Sequence, residues 1–386
     1  MSDPRPPRRY LDNAATTWPK PEPVRSAWER AARVVGAAAG RGGHRAAVEA
    51  DAIRRRARER AAAILGGADP ARVALPAGAT LALNMAIHGL VRPGDHVIAT
   101  AADHNATLRP LEHLRRRGLI GLTIAPCDGT GLVDPAGIAA AWRPATRLVV
   151  CAHASNVTGA LQDAPAIAAL VHARGGMLLL DAAQSLAQVE PARSVVAWEA
   201  DVVVAAAHKW LHGMAGAAIL WAREGVEIEP LIQGGTGSAS DSLEMPAAFA
   251  DRLEAGTPDL PALAALEAAC DWLEAHSVRA VHARCHDLAI ACVDGLRQVR
   301  SARVFAAGGC GPPIVSFTLE GYDPAELAAI LEQAAGVQAR SGFHCAACVH
   351  DFIGTQAGGT VRLAFGPFNT AADVEAVVAT VGRIAT

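Results

Sequence analysis

Apolar residues along the chain fall into two rhythms. Short runs without alternation recur at 72–75, 96–100, 119–126, 146–152, 175–181, 201–207 and 215–221. The clearest are Met-Leu-Leu-Leu before Asp181 and Val-Val-Val-Ala-Ala-Ala before His208. Runs of this length with no polar face predict strands covered on both sides, as in a parallel sheet. Between them, a helical period predicts helices at 81–90, from 105 to about 117, at 134–142 and at 164–174. Two more helices precede the alternation, at about 24–35 and at 46–65, the second closed by Gly66-Gly67. Alternating strands and helices from about 73 to 222 predict a mostly parallel sheet covered by helices. After Pro261 the rhythm changes. One long helical stretch to about 298 leads to strands at 302–306 and 313–319, a helix at 324–335, a strand at 359–364 and a last helix at 371–384. The fold class is therefore α/β: a large α/β domain at 13–255, and a smaller α+β domain at 256–386 joined by residues 1–12.

Composition narrows the function classes. With 386 residues the chain can build two domains and a large core, and 51% of it is hydrophobic. A formal net charge of −3 gives no electrostatic case for nucleic acid. The arginine runs at 54–56 and 115–117 sit in helical patterns and read as solvated faces. Residues 1–9 are polar and proline-rich, unlike a signal peptide, and no later stretch reads as a membrane span, so a cytoplasmic enzyme is the expectation. The cysteines at 127, 151, 270, 285, 292 and 310 lie mostly in apolar surroundings and suit reduced core thiols; Cys345 and Cys348 alone invite a chemical reading.

Candidate chemistry gathers at strand ends. Ligands of open α/β sheets bind outside the carboxyl ends of the strands, where this sequence puts Asp181 and Lys209. Desolvation lowers the pKa of a lysine, and a neutral amine can form a Schiff base. Pyridoxal 5'-phosphate needs that pair: a lysine for its aldehyde and an acid against its ring nitrogen. The Pro76-Ala-Gly-Ala79-Thr80 turn opens a helix, where free N–H groups and the Thr80 hydroxyl can cradle a phosphate. Asp103-His104-Asn105 follows another strand; it offers an imidazole for proton transfer, or a helix cap.

These stretches, with Asn156-Val-Thr-Gly159 and Arg340-Ser-Gly-Phe-His-Cys345, resemble the class V aminotransferase superfamily. That superfamily lies within fold type I of the pyridoxal-phosphate enzymes. The nearest branch is the cysteine desulfurases, a group that includes selenocysteine lyases. The resemblance runs from Tyr10 to the last helix. It implies that His104 stacks on the cofactor ring, that Gln184 reaches its phenolic oxygen, and that Asn156 reaches that oxygen or the substrate carboxylate. It implies further that the loop from Arg41 to His44 borders the site, with His44 toward the substrate. Thr236, in a Gly-rich loop, would serve the phosphate of a neighbouring subunit in a homodimer. Arg362, with Arg340, would bind the substrate carboxylate, and Cys345 would accept sulfur as a persulfide; by their charge, the neighbouring Arg340 and His344 could favour its thiolate. A zinc cluster of His344, Cys345, Cys348 and His350 is a competing reading, but its spacing is cramped.

The expected reaction converts L-cysteine to L-alanine and passes sulfur to an acceptor protein or thiol. L-selenocysteine, or another C–S bond on the same scaffold, is the alternative. Two positions depart from the family pattern. Ala206 stands where a phosphate-binding Ser or Thr is usual, with His208, Thr80 and a partner's Thr236 available to compensate. Cys348 stands near a usual proline, and could relay sulfur or be inert.

Overall fold

The structure, a computed structural model, describes residues 6–40, 42–188, 195–306 and 311–385; Arg41 and Cys310 lie outside the described residues. The strands in chain order are β1 (Arg9–Tyr10), β2 (Val73–Ala74), β3 (His96–Thr100), β4 (Gly121–Ala125), β5 (Thr146–Ala152), β6 (Met177–Asp181) and β7 (Val202–Ala206). They continue as β8 (Ala218–Ala222), β9 (Ala302–Phe305), β10 (Ile314–Leu319), β11 (Val337–Gln338), β12 (Arg340–Gly342) and β13 (Thr360–Ala364). Among the described residues the main sheet runs β2-β8-β7-β6-β5-β3-β4. Its pairs from β7 to β4 are parallel, and β8 and β2 close one edge antiparallel.

The unalternating runs fold as they do because both faces of this sheet are covered. Val149, Leu178, Leu180 and Val203 face one core, while Val150, Leu179, Val202 and Val204 face the other. Every one of these eight side chains is out of solvent. Burying each is worth about 1.5–3 kcal/mol, so the strand interiors are strongly specified. Parallel register then aligns the strand ends, with Asp181 opposite Ala152 of β5 and Val204 of β7. The loops after β3, β5, β6 and β7 therefore open on one rim.

The C-terminal residues form a four-stranded antiparallel sheet, β12-β13-β10-β9. Val361 and Leu363 of β13 face an apolar core shared with the helices Pro324–Ala335 and Ala371–Ile384. Alternation along a strand puts Arg362 on the opposite face. The entry segment completes the link: β1 pairs with β11, and Asp12 bridges to Ala364.

The structure corrects several expectations. The single long helix from 261 to 298 is two helices, Leu260–Ala275 and Val278–Arg297, broken at Ser277, whose φ is +60°. No glycine or proline marks the break, so the hydrophobic pattern runs through it. The first of the two packs along the helices Glu22–Arg30 and Arg45–Ile64. The first helix itself ends at Arg30 and continues as a π-turn to Val35. The pairing strands β11 and β12, and the helix Ala347–Ile353, were not expected. They are too short for a period to show. Among the described residues no helix is long and apolar enough to cross a membrane.

Candidate active site

A cavity of about 440 Å³ opens at the carboxyl rim of the main sheet. Lys209, three residues beyond β7, and Asp181, the last residue of β6, both line it. Burial pushes the Lys209 amine down to about 8, against the pull of the Asp181 charge. Burial raises the Asp181 carboxyl, against Lys209 and a 2.9 Å bond from the Ala183 N–H to Oδ1. Each group destabilises the charged form of itself by burial and stabilises that of the other by proximity. A cation set against Asp181 would restore its charge.

The other expected cofactor residues converge on the same cavity. The helix Ala79–Leu90 starts after Gly78, whose φ of +144° suits glycine, and no side chain caps it. Its first N–H groups have no intrahelical partner, and Ala79 and Thr80 line the cavity. His104 caps the helix Asn105–Arg116, its Nδ1 accepting the Ala106 N–H at 3.0 Å. The proton of the neutral ring therefore sits on Nε2. Burial, with Lys209 nearby, lowers this imidazole to about 4, so it is neutral at pH 7. His208 and Ala206 also line the cavity, and burial brings His208 to about 4. Gln184 lines it too, but its amide is already engaged. Nε2 donates to the Ala14 carbonyl at 2.9 Å, and Oε1 accepts Trp210 Nε1–H at 2.7 Å.

Arg362 enters from β13, only 1% exposed. Its Nη2 donates to Asp12 Oδ1 at 2.8 Å and its Nη1 to the Asn156 carbonyl at 2.9 Å, while its buried Nε has no partner. Arg340 lies directly opposite Arg362 across the β12–β13 pair and also lines the cavity. Arg340 Nη2 donates to Cys345 Sγ at 3.2 Å. His344 brings no charge to this contact. Burial and the two arginines lower it to about 2, so its ring is neutral, and Nε2 meets Thr360 Oγ1 at 2.9 Å. The expected charge from His344 is thus corrected: a protonated imidazole beside Arg340 and Arg362 is too costly when buried. Cys348 lies in the helix Ala347–Ile353, where burial and Asp351 raise its thiol. Among the described residues, no three His, Cys, Asp or Glu side chains group to hold a metal ion.

Two expected residues lie apart in this chain. His44 is exposed and caps the helix Arg45–Ile64, accepting the Ala47 N–H at 3.3 Å. Thr236 lines a smaller cavity of about 100 Å³, which shares Gly216 and Leu81 with the larger one. Two residues carry the site without having been singled out. Asp12 neutralises Arg362, and Lys20 Nζ donates to the His208 carbonyl at 2.7 Å, next to Lys209. Burial lowers the Lys20 amine to about 7. A lone lysine among three prolines was its signal in the sequence; Asp12 lies in the Tyr10–Thr17 segment, which resembles the family's opening.

Comparison with known proteins places the chain in a family. The aminotransferase class-V family matches residues 9–377. A probable cysteine desulfurase of Methanothermobacter thermautotrophicus is 30% identical, over 97% of this chain and 94% of that protein. One of Vibrio cholerae is also 30% identical, over 97% of this chain and 93% of that protein. Among solved structures, the apo cysteine desulfurase of Thermococcus onnurineus superposes with a TM-score of 0.89 at 25% identity, covering 100% of this chain and 99% of the other. The cysteine desulfurase CsdA of Escherichia coli gives 0.86 at 26% identity, covering 97% of this chain and 94% of the other. By this match over nearly its whole length and by these relatives, the chain belongs to the aminotransferase class-V family.

Proposed function

We infer that this protein is a pyridoxal-phosphate-dependent cysteine desulfurase, which converts L-cysteine to L-alanine and takes the sulfur onto Cys345 as a persulfide. One observation carries the reading: a thiol 3.2 Å from a guanidinium stands beside a cavity that already holds a lysine, an aspartate and a buried arginine. The residues suit the cofactor. Lys209 offers a depressed amine, Asp181 a buried acid, His104 a flat neutral ring, and the helix start at Ala79 and Thr80 unpaired N–H groups. When bound, the cofactor supplies an electron sink for the substrate carbon.

The chain's own residues do the rest. Arg362 and Arg340 receive the substrate carboxylate, an anion for two cations that otherwise repel each other. Lys209, with its amine near neutrality, removes the Cα proton. The Cys345 thiolate attacks the substrate sulfur. The S–S bond forms as the substrate Cβ–S bond breaks, and the electron pair left on carbon takes a proton. His104 carries its proton on Nε2 and can deliver one to this space. A thiol, free or on an acceptor protein, then removes the sulfur from Cys345.

We place the enzyme in a homodimer, with Thr236 serving the partner's phosphate. Exposed Leu231, Ile232 and Leu243 flank that loop, which supports a covered surface there. Light scattering on the purified protein reads its mass; a monomer sinks this assignment. The activity is tested by alanine and sulfide release from L-cysteine with a reductant. Alanine from the wild type and almost none from Cys345→Ala supports the reading. A cofactor-loaded protein that forms no alanine overturns it and turns attention to L-selenocysteine.

A further inference from the structure

His344 and Cys345 have φ of +51° and +59°. Two successive non-glycine residues in the left-handed region are rare, and persist only where their surroundings over-determine them. Here the surroundings are specific. Asn156 Nδ2 donates to the His344 carbonyl at 2.7 Å. The Asn105 N–H donates to the Cys345 carbonyl at 2.7 Å, and the Ala346 N–H to the Phe343 carbonyl at 2.9 Å. Of these three, only the Asn156 bond comes from a side chain, and that side chain is buried.

We propose that Asn156 is a positioning residue for Cys345: its amide holds the His344 carbonyl and thereby keeps the thiol-bearing turn in its left-handed conformation, against Arg340. The role differs from contact with cofactor or substrate. It also joins two parts of the site, because the backbone carbonyl of Asn156 accepts Arg362 Nη1 at 2.9 Å. The carboxylate anchor and the sulfur-accepting thiol are then held by one residue, the anchor through its backbone and the thiol through its side chain. The inference rests on the reading of Cys345 as sulfur acceptor.

That division makes the test selective, since a side-chain substitution spares the backbone bond to Arg362. Hydrogen–deuterium exchange is followed by mass spectrometry in the cofactor-free wild type, Asn156→Ala and Asn156→Asp. Both variants remove the donor, and aspartate keeps its size. Exchange across residues 343–347 is expected to speed up about tenfold, with β5 and β6 unchanged. In the loaded enzyme, kcat for alanine is expected to fall about tenfold while KM for L-cysteine stays within about twofold. Unchanged exchange at 343–347 with a raised KM overturns the proposal and assigns Asn156 to the substrate. Faster exchange throughout β5 and β6 also overturns it, since Asn156 would then serve the fold as a whole. The exchange measurement needs neither cofactor nor turnover. A wild type that makes no alanine defeats the functional reading, whereas the exchange result judges the turn by itself.

Discussion

The two halves of the cavity are built by different means. Lys209 and Asp181 stand at the ends of adjacent parallel strands whose interiors are wholly apolar. Cys345, Arg340 and Arg362 come from a small antiparallel sheet and the turn beyond it. In the first half, burial dominates the protonation states: it lowers Lys209 and His104 and raises Asp181. In the second half burial also weighs on Arg362 and His344, but each reactive group there meets a specific partner. Asp12 answers Arg362, and Arg340 answers the thiol. A site whose groups are tuned by burial is robust to the loss of any one hydrogen bond. A site tuned by partners is sensitive to each, because a buried charge left alone is costly.

Substitutions in each half put this contrast to the test. The largest effect is expected for Lys209→Ala, which removes the proton-transfer group; alanine formation should drop about 10³-fold, within the range for a lost general base. A variant that retains wild-type turnover would falsify the assignment. Cys345→Ala should lower alanine formation from L-cysteine about 10²-fold while leaving cofactor binding, read by absorbance, intact. Ala206→Ser restores a hydroxyl to a wall of the cavity; cofactor dissociation should slow about tenfold, the worth of one hydrogen bond to a charged group. An unchanged off-rate would show that other groups already satisfy the phosphate.

Smaller effects separate the two mechanisms more finely. Asp12→Ala leaves Arg362 with only the Asn156 carbonyl as partner. The loss should destabilise folding by about 1–2 kcal/mol, reduced from the fully buried value because Asp12 is partly exposed. Urea midpoints measure this, and an unchanged midpoint would show that Arg362 needs no counter-charge. The smallest change concerns pH. Lys209 falls from 10.5 to about 8 in the folded chain, so its neutral fraction rises with pH through 8. Between those values the unfolded chain keeps a proton that the folded chain has lost, so this group adds stability as pH rises. Capture of free pyridoxal phosphate by the cofactor-free protein, trapped by borohydride, should follow a midpoint near 8. A midpoint near the ordinary lysine value would contradict control by burial.

The first half was legible in the sequence and the second only in outline. The runs before Asp181 and Lys209 are apolar at every position, as strands covered on both faces require, and each run ends where polar residues begin. Asp181 and Lys209 could therefore be placed at one rim from pattern, whereas His104 and the turn at Ala79 and Thr80 were assigned by their position beside that pair and by the family resemblance. The Arg340–Cys345 stretch could be recognised as a motif, but its motif lies in a three-residue strand and a turn. Neither has a period to read. The charge expected of His344 failed because burial beside two arginines is a three-dimensional fact. The break at Ser277 was hidden because apolar spacing continues across it.

The sequence by itself determined the alternation of strands and helices in the large domain, the covered sheet and the two residues at the rim of its central strands, because local period and burial leave few alternatives. Tertiary structure alone decided the pairing of Asp12 with Arg362 across 350 positions of chain. It alone decided the neutral state of His344 and the hold of Asn156 on the Cys345 turn. Those outcomes depend on which distant groups meet in a space without water, and no local pattern encodes that meeting.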